Sequence, residues 1–279
     1  MAPGRDGMVG LLAGTGALPE VIAAAVKARG LRLVCVQVGE ESATLPGIAD
    51  HYRRCAPGAL REVLETLRAH EVREVLVAGR FLRANLLVRG DELHDAVLRG
   101  HLDHRDVPLL ERLAALLAEM GMALVEQTRF VGNLLAPPGL LTTRPPTPEE
   151  LSDLAFGRAV ARRLADLDVG QTVVLRRGII LAVEAAEGTD ATVRRGGAMA
   201  QEAVVVKASR NRQDPRFDIP AVGPGTVAAM CEVGARVLGI DARRTLLLER
   251  ERMLADAEAA GITILAADVP PLGTPVHDG

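Results

Sequence analysis

The densest run of chemically capable side chains is Lys207-Ala208-Ser209-Arg210-Asn211-Arg212-Gln213-Asp214-Pro215-Arg216-Phe217-Asp218-Ile219-Pro220. Two acids, an amide, an ammonium and several guanidinium groups follow the apolar run Ala203–Val206, more charge than a solvated turn requires. Lys207 stands out against the composition. Of 33 lysines and arginines only Lys27 and Lys207 are lysines, so a compact ammonium sits where a planar guanidinium is the habit. Pro220 restricts the backbone next to Asp218, because the residue before a proline is held extended. The plain alternative is an exposed surface loop.

A second cluster, Glu184-Ala185-Ala186-Glu187-Gly188-Thr189-Asp190, follows an apolar strand and precedes Arg194-Arg195. Carboxylates, a flexible glycine and a hydroxyl at a strand end can hold a divalent cation, and arginines suit phosphate. Alternatively Thr189 or Asp190 caps a short helix. A third candidate is Ala13-Gly14-Thr15-Gly16-Ala17-Leu18-Pro19, between a strand and a helix. Gly14, Thr15 and Gly16 can turn backbone N–H groups toward an anion, or make only a tight turn. The third glycine of G-x-G-x-x-G is missing, and the next strand ends at Gln37-Val38-Gly39 without an acid, so a dinucleotide site has little support. In Gly79-Arg80-Phe81-Leu82-Arg83, Arg80 and Arg83 either clamp phosphate at a sheet edge or solvate its rim. The six histidines show no metal-ligand spacing; His94, His101 and His104 fall in a polar connector and are expected to be exposed. No G-x-S-x-G elbow, H-E-x-x-H or Walker loop is present, so serine or cysteine nucleophilic catalysis has no support.

The elements that must position these residues alternate. Met8–Ala13, Leu31–Val38 and Val75–Ala78 read as strands, with helices over Pro19–Arg29 and through Leu60, Val63, Leu64 and Leu67. Leu109, Leu113, Leu116 and Met120 mark a further helix before a strand at Met122–Glu126. Strand–helix repetition implies a Rossmann-like parallel sheet. Five prolines between Ala136 and Pro148 mark a boundary, so the expected domains are 1–140 and 141–279. Thr147, Pro148 and Glu150 form a helix-start signature, with the helix running to about Ala165. A hairpin follows, Thr172–Leu175 and Ile179–Val183, then a strand at Ala203–Lys207 and a helix near Val227–Ala235. A strand near Thr245–Leu248, a helix over Arg250–Ala260 and a strand at Ile262–Ala266 complete a distinct α/β carboxy-terminal domain.

Composition bounds the rest. At 279 residues, 48% hydrophobic and 25% charged, the chain is globular and long enough for two cores. A net charge of -3 gives no basic footprint, so nucleic acid is excluded as a partner. With 2% aromatics and no tryptophan, the core must be built from Leu, Val, Ile and Ala. Three separated cysteines fit a reduced, cytoplasmic protein. Met1–Gly7 is polar and the run Met8–Ala13 is short, so neither a signal peptide nor a membrane span is expected.

The chain resembles the LpxI-type UDP-2,3-diacylglucosamine pyrophosphatases of lipid A biosynthesis over nearly its whole length. The resemblance rests on Gly10 through Pro19, Leu167-Asp168-Val169-Gly170-Gln171, Leu181 through Glu184, and Glu187-Gly188-Thr189-Asp190. It ends with Lys207, Gln213, Arg216, Asp218, Pro220 and Gly223 in matching order. It implies hydrolysis of the pyrophosphate bond to UMP and 2,3-diacylglucosamine 1-phosphate, with Mg²⁺ or Mn²⁺. It also implies a Rossmann-like amino-terminal domain and a distinct second domain, with substrate held between them. Asp218 matches the family's essential aspartate. With that chemistry in view, Asp190, Asp214 and Asp218 are the candidate metal ligands, and Asp218, Lys207 and Asp190 the candidate catalytic groups. Lys207, Arg216 and Arg194 are the phosphate candidates, with Gly14, Thr15, Gly16, Arg83, Thr189 and Gln213 as further substrate contacts. The chain departs from the family at Arg105-Asp106-Val107, where the family often carries paired acids. The expected partner is a UDP-linked diacylated glucosamine, with peripheral contact at the inner membrane surface and a homodimer both left open. A regulatory nucleotide- or lipid-binding module without catalysis, and a nicotinamide-dependent oxidoreductase, are the alternatives.

Overall fold

The computed structural model describes residues 7–81, 90–98, 106–272 and 274. The chain divides into two compact units, one of Met1–Gly132 with Arg216–Asp218, the other of Asn133–Pro215 with Ile219–Gly279. Among the described residues no helix is long and apolar enough to cross a membrane.

In the first unit the order is β1 (Met8–Ala13), α1 (Leu18–Ala28), β2 (Arg32–Val38), α2 (Leu45–Ile48), β3 (His51–Cys55), α3 (Leu60–Ala69) and β4 (Glu74–Ala78). Then come α4 (Glu92–Leu98), α5 (Asp106–Glu119), β5 (Ala123–Leu124) and α6 (Thr128–Val131). The five strands pair in parallel in the order β3-β2-β1-β4-β5. This is the Rossmann-like sheet that the alternation predicts. Its strand order reverses between β1 and β4, which puts the crevice of such a sheet at their carboxyl ends. Leu12, Val34, Val36, Val75 and Val77 bury one continuous core against Val63, Leu64 and Leu67 of α3. One expectation fails here. His94 lies on α4 and is buried, with Nδ1 3.5 Å from Asp95 Oδ1, rather than exposed in a connector. His101 and His104 lie outside the described residues.

The second unit runs β6 (Gly139–Leu140), α7 (Pro148–Asp166), β7 (Thr172–Arg176), β8 (Ile179–Val183), α8 (Thr189–Gly197) and β9 (Val204–Lys207). It continues with β10 (Ala221–Val222), α9 (Pro224–Glu232), β11 (Val237–Asp241), β12 (Leu246–Leu247), α10 (Arg250–Ala259) and β13 (Thr263–Ala267). Six strands form a mixed sheet in the order β6-β13-β11-β9-β7-β8, and β10 and β12 make a separate ribbon. The Pro-rich segment belongs to this fold: it supplies the edge strand β6, antiparallel to β13, and Thr143 is held by Glu258. The capping box forms as expected, with Thr147 Oγ1 accepting from Glu150 N and Glu150 Oε2 from Thr147 N. The hairpin turns at Arg177 and Gly178, both at positive φ, as a two-residue loop requires. Asp153 of α7 accepts both of their N–H groups, at 2.8 and 2.7 Å, and pins the tip. The core is Val, Leu, Ile and Ala with Met230 and Met253, as the scarcity of aromatics dictates.

Candidate functional site

One end of the second sheet gathers a polar cluster because three strand ends meet there. Thr172, which opens β7, pairs in register with Lys207, which closes β9. β8 finishes beside them, with Glu184 N donating to Thr172 O at 2.8 Å, and α8 starts five residues later at Thr189. The side chains interlock. Lys207 Nζ donates to Thr189 Oγ1 at 2.6 Å, and Thr189 Oγ1 donates to Glu184 Oε1 at 2.9 Å. Thr172 Oγ1 lies 3.5 Å from Thr189 Oγ1, and Gln171 N reaches Glu184 Oε2 at 3.2 Å. That last approach depends on Gly170, where a Cβ would stand 2.2 Å from the Glu184 carbonyl oxygen.

Lys207 and Glu184 are 8% and 9% exposed, so each charge is largely withdrawn from water. Burial pushes the Glu184 carboxyl upward. The Lys207 ammonium and hydrogen bonds from Thr172, Thr189 and the Gln171 N–H outweigh it and hold the group below the ordinary glutamate range. Asp190 is the second residue of α8, and its Oδ1 accepts from Thr226 Oγ1 in the first turn of α9 at 3.4 Å. A carboxylate suits the positive ends of two helices. The Glu184–Asp190 segment thus places its charged and hydroxyl side chains in hydrogen bonds with Lys207 and α9. The same segment also starts a helix, with Gly188 as its N-cap.

Arg194 sits further along α8, where its guanidinium is taken up by Glu232 of α9 (Nε–Oε2 2.5 Å, Nη2–Oε1 3.0 Å) on an exposed face. Arg195 pairs with Glu187 and with Val183 O.

After Lys207 the loop is tied down residue by residue. Ser209 N and Oγ both donate to Asp241 Oδ2 at 2.9 Å, and Arg162 of α7 completes a fully buried ion pair with Asp241 at 3.3 Å. Arg210 pairs with Asp168 at 2.5 Å, and Asn211 bonds Asp166 through backbone and side chain. Gln213 is buried and accepts from Arg210 N at 3.3 Å, which gives it a part in the loop's own shape. Asp214 is half-buried in the same unit. Arg216 and Asp218 group with the first unit, the Arg216 guanidinium lying 5.7 Å from the Phe217 ring centroid. Asp218 has φ 51°, left-handed backbone that a non-glycine residue rarely adopts, and such positions concentrate at functional sites.

The sequence reading missed Asp241 and Arg162. The signal available was weak, an acid ending an apolar run and an arginine inside an amphipathic helix.

In the first unit the glycine-rich turn meets the loop after β4. Thr15 N donates to Arg80 O at 2.9 Å, Arg80 N returns a bond to Thr15 O at 2.8 Å, and Gly14 N bonds Ala78 O. A Cβ on Gly14 would sit 2.4 Å from the Arg80 carbonyl oxygen, so this glycine is explained by the loops' approach. The Thr15 N–H is thus committed to backbone, while Gly16, at φ 98°, and Ala17 are exposed at the start of α1. Gln37, at the end of β2, is buried; its Oε1 accepts from Tyr52 Oη and Ser42 N. Arg83 and Arg105 lie outside the described residues, and Asp106 opens α5.

Among the described residues no three His, Cys, Asp or Glu side chains gather so as to hold a metal ion. Asp190, Asp214 and Asp218 are single carboxylates, oxygen donors of the kind that Mg²⁺ takes one or two of while keeping its waters.

Comparison with known proteins adds a family. Residues 8–134 match the model of the LpxI N-terminal domain, and residues 137–265 that of the LpxI C-terminal domain. The UDP-2,3-diacylglucosamine pyrophosphatase LpxI of Caulobacter vibrioides is 30% identical over 280 aligned positions, covering 93% of this chain and 97% of its own. Among solved structures, a biotin carboxylase from Campylobacter jejuni aligns with 68% of the chain and 41% of its own, at 12% identity and a TM-score of 0.28. A glycinamide-RNase-transformylase T from Mycobacterium tuberculosis aligns with 63% of the chain and 44% of its own, at 16% identity and a TM-score of 0.25. Both scores are too low to bear on fold or function.

Proposed function

The chain belongs to the LpxI family, and from that premise we propose that it hydrolyses the pyrophosphate bond of UDP-2,3-diacylglucosamine. The products are UMP and 2,3-diacylglucosamine 1-phosphate. The observation that carries this reading is the alignment with the Caulobacter relative over almost the whole of both chains. The Lys207 cluster supports it chemically. A buried ammonium, anchored at the N-terminus of α8, meets what a pyrophosphate requires: neutralisation of phosphate charge in a site largely shielded from water.

In this reading Lys207 binds the phosphates through the two ammonium hydrogens that Thr189 leaves over. Asp218 orients the attacking water or contacts the ion, and Asp190 supplies a second carboxylate. Arg216 is the phosphate-binding guanidinium; Arg194 serves that role only by releasing Glu232. Mg²⁺ or Mn²⁺, when bound with the substrate, stabilises charge on the phosphate oxygens. A diacylated substrate also implies work at a membrane surface, by peripheral contact from the cytoplasmic side.

The test is direct. Purified protein with UDP-2,3-diacylglucosamine and Mg²⁺ should release UMP and diacylglucosamine 1-phosphate in equal amounts, measured by mass spectrometry. Absence of turnover, with the substrate still bound, would favour the regulatory module instead.

A further inference from the structure

We infer that Glu184 is a positioning residue for Lys207, acting through the Thr189 hydroxyl; what Lys207 then does to substrate rests on the function proposed above. The direction of the relay follows from donor counting. A hydroxyl has one proton and two lone pairs, an ammonium only donates and an ionised carboxylate only accepts. The Thr189 proton must therefore point to Glu184 Oε1 at 2.9 Å, which leaves a lone pair for Lys207 Nζ at 2.6 Å, while the Thr172 hydroxyl, 3.5 Å from Thr189 Oγ1, gives its own proton to Glu184.

Each member of the relay is also placed by a neighbouring element. Glu184 is held from its other oxygen by Gln171 N, and Gly170 allows that approach. Thr189 is fixed by the first turn of α8, and Thr172 by its register with Lys207. Glu184 remains charged in spite of its burial, so both ends of the relay carry charge and its polarity is single. Lys207 spends one N–H on Thr189 and holds two in a set direction. An ammonium on a four-carbon stem would otherwise have to be ordered by the substrate itself, at a cost to the transition state.

Glu184→Gln replaces the carboxylate by a near-isostere. Its amide can donate to Thr189 and compete with Lys207 for the same lone pairs, and the charge facing the ammonium is gone. We expect kcat to fall about 30-fold with KM changed less than about threefold, the pattern of an interaction realised in the transition state. The spectroscopic readout is independent of turnover. With only Lys27 and Lys207 in the chain, lysine-selective isotope labelling gives two side-chain NMR signals, assigned with Lys27→Arg. The Lys207 signal should move in Glu184→Gln while that of Lys27 stays. Thr189→Val should reproduce both effects, and Thr189→Ser, which restores the hydroxyl, should recover most of the loss. That pair also carries the test if Glu184→Gln does not fold. An unmoved Lys207 signal with kcat within twofold of wild type in Glu184→Gln overturns the inference, as does Thr189→Val behaving like Thr189→Ser. If the wild-type protein fails to cleave UDP-2,3-diacylglucosamine, the proposed function falls, and the Lys207 signal still decides the relay.

Discussion

At the scale of single residues, Lys207 and Asp218 make the sharpest demands. Lys207 is buried with Nζ 2.6 Å from Thr189, in a space shaped by a compact ammonium. Lys207→Arg keeps the charge but brings a wide planar fork that cannot occupy that position. We expect kcat/KM to fall about 10- to 100-fold, worth roughly 1.4–2.7 kcal/mol at the transition state. A silent swap in steady-state kinetics would mean that Lys207 is scenery. For Asp218 the backbone dictates the choice of variant. At φ 51° an alanine would add strain of its own, whereas asparagine tolerates the left-handed region. Asp218→Asn should therefore lower kcat by about 10²- to 10⁴-fold, the range for a lost acid–base group, with little change in melting temperature. Near-normal turnover in that variant removes Asp218 from the mechanism. The sequence showed the acids and the lysine as crowded motifs. It could not show which acid answers Lys207, because that depends on the register of Thr172 opposite Lys207 and on a helix starting at Thr189.

At the scale of elements, what could be read was whatever local chemistry decides. α7 begins where Thr147, Pro148 and Glu150 say it should, and the hairpin turns at Arg177-Gly178. What escaped was decided by packing. β3 reads His-Tyr-Arg-Arg-Cys and looks like a loop, because an edge strand with one neighbour leaves most of its side chains in water. β11 was missed although it is the second sheet's interior strand between β9 and β13. Gly239 inside Val-Leu-Gly-Ile-Asp looks like a break. The Leu154 side chain of α7 packs over it, its Cδ2 2.3 Å from where a Cβ would stand, so a larger residue would have to displace that leucine. The helix start of α7 allows a pH test. Burial raises the Glu150 carboxyl, but Arg144 and the Thr147 N–H and hydroxyl prevail and hold it below its usual 4.5. A depressed folded value adds stability above the unfolded value, and that stability is lost as pH falls through the folded one. Glu150→Gln should thus melt about 2–4 °C below wild type at pH 7, with the gap closing below about pH 4.5. A gap of constant size from pH 7 to pH 3 would show that the carboxylate's charge contributes nothing to the cap.

At the scale of the whole molecule, composition foretold the material of both cores, and alternation foretold the parallel sheet of the first unit. The mixed sheet of the second unit was beyond reach of pattern, since its order β6-β13-β11-β9-β7-β8 is set by contacts far apart in sequence. The same distribution of residues bears on the cation. Structural metal sites contribute folding energy because the protein supplies every ligand, so chelators unfold such proteins. Among the described residues no group of three or more His, Cys, Asp or Glu could form such a site. Under the proposed function the ion is a hard one such as Mg²⁺ that keeps several waters and is shared with substrate phosphates, so stability should be indifferent to metal while turnover depends on it. Excess EDTA should abolish hydrolysis and leave the melting temperature within about 1 °C, a shift far smaller than the 2–4 °C per kcal/mol expected for a chain of this order of size. Mg²⁺ or Mn²⁺ should restore the rate in full. Calorimetry and the product assay on one EDTA-treated sample decide it together. A drop of many degrees, or stoichiometric Zn²⁺ in the untreated protein, would mean that a resident structural ion has been overlooked; full activity in EDTA would mean that the carboxylates and Lys207 act without one.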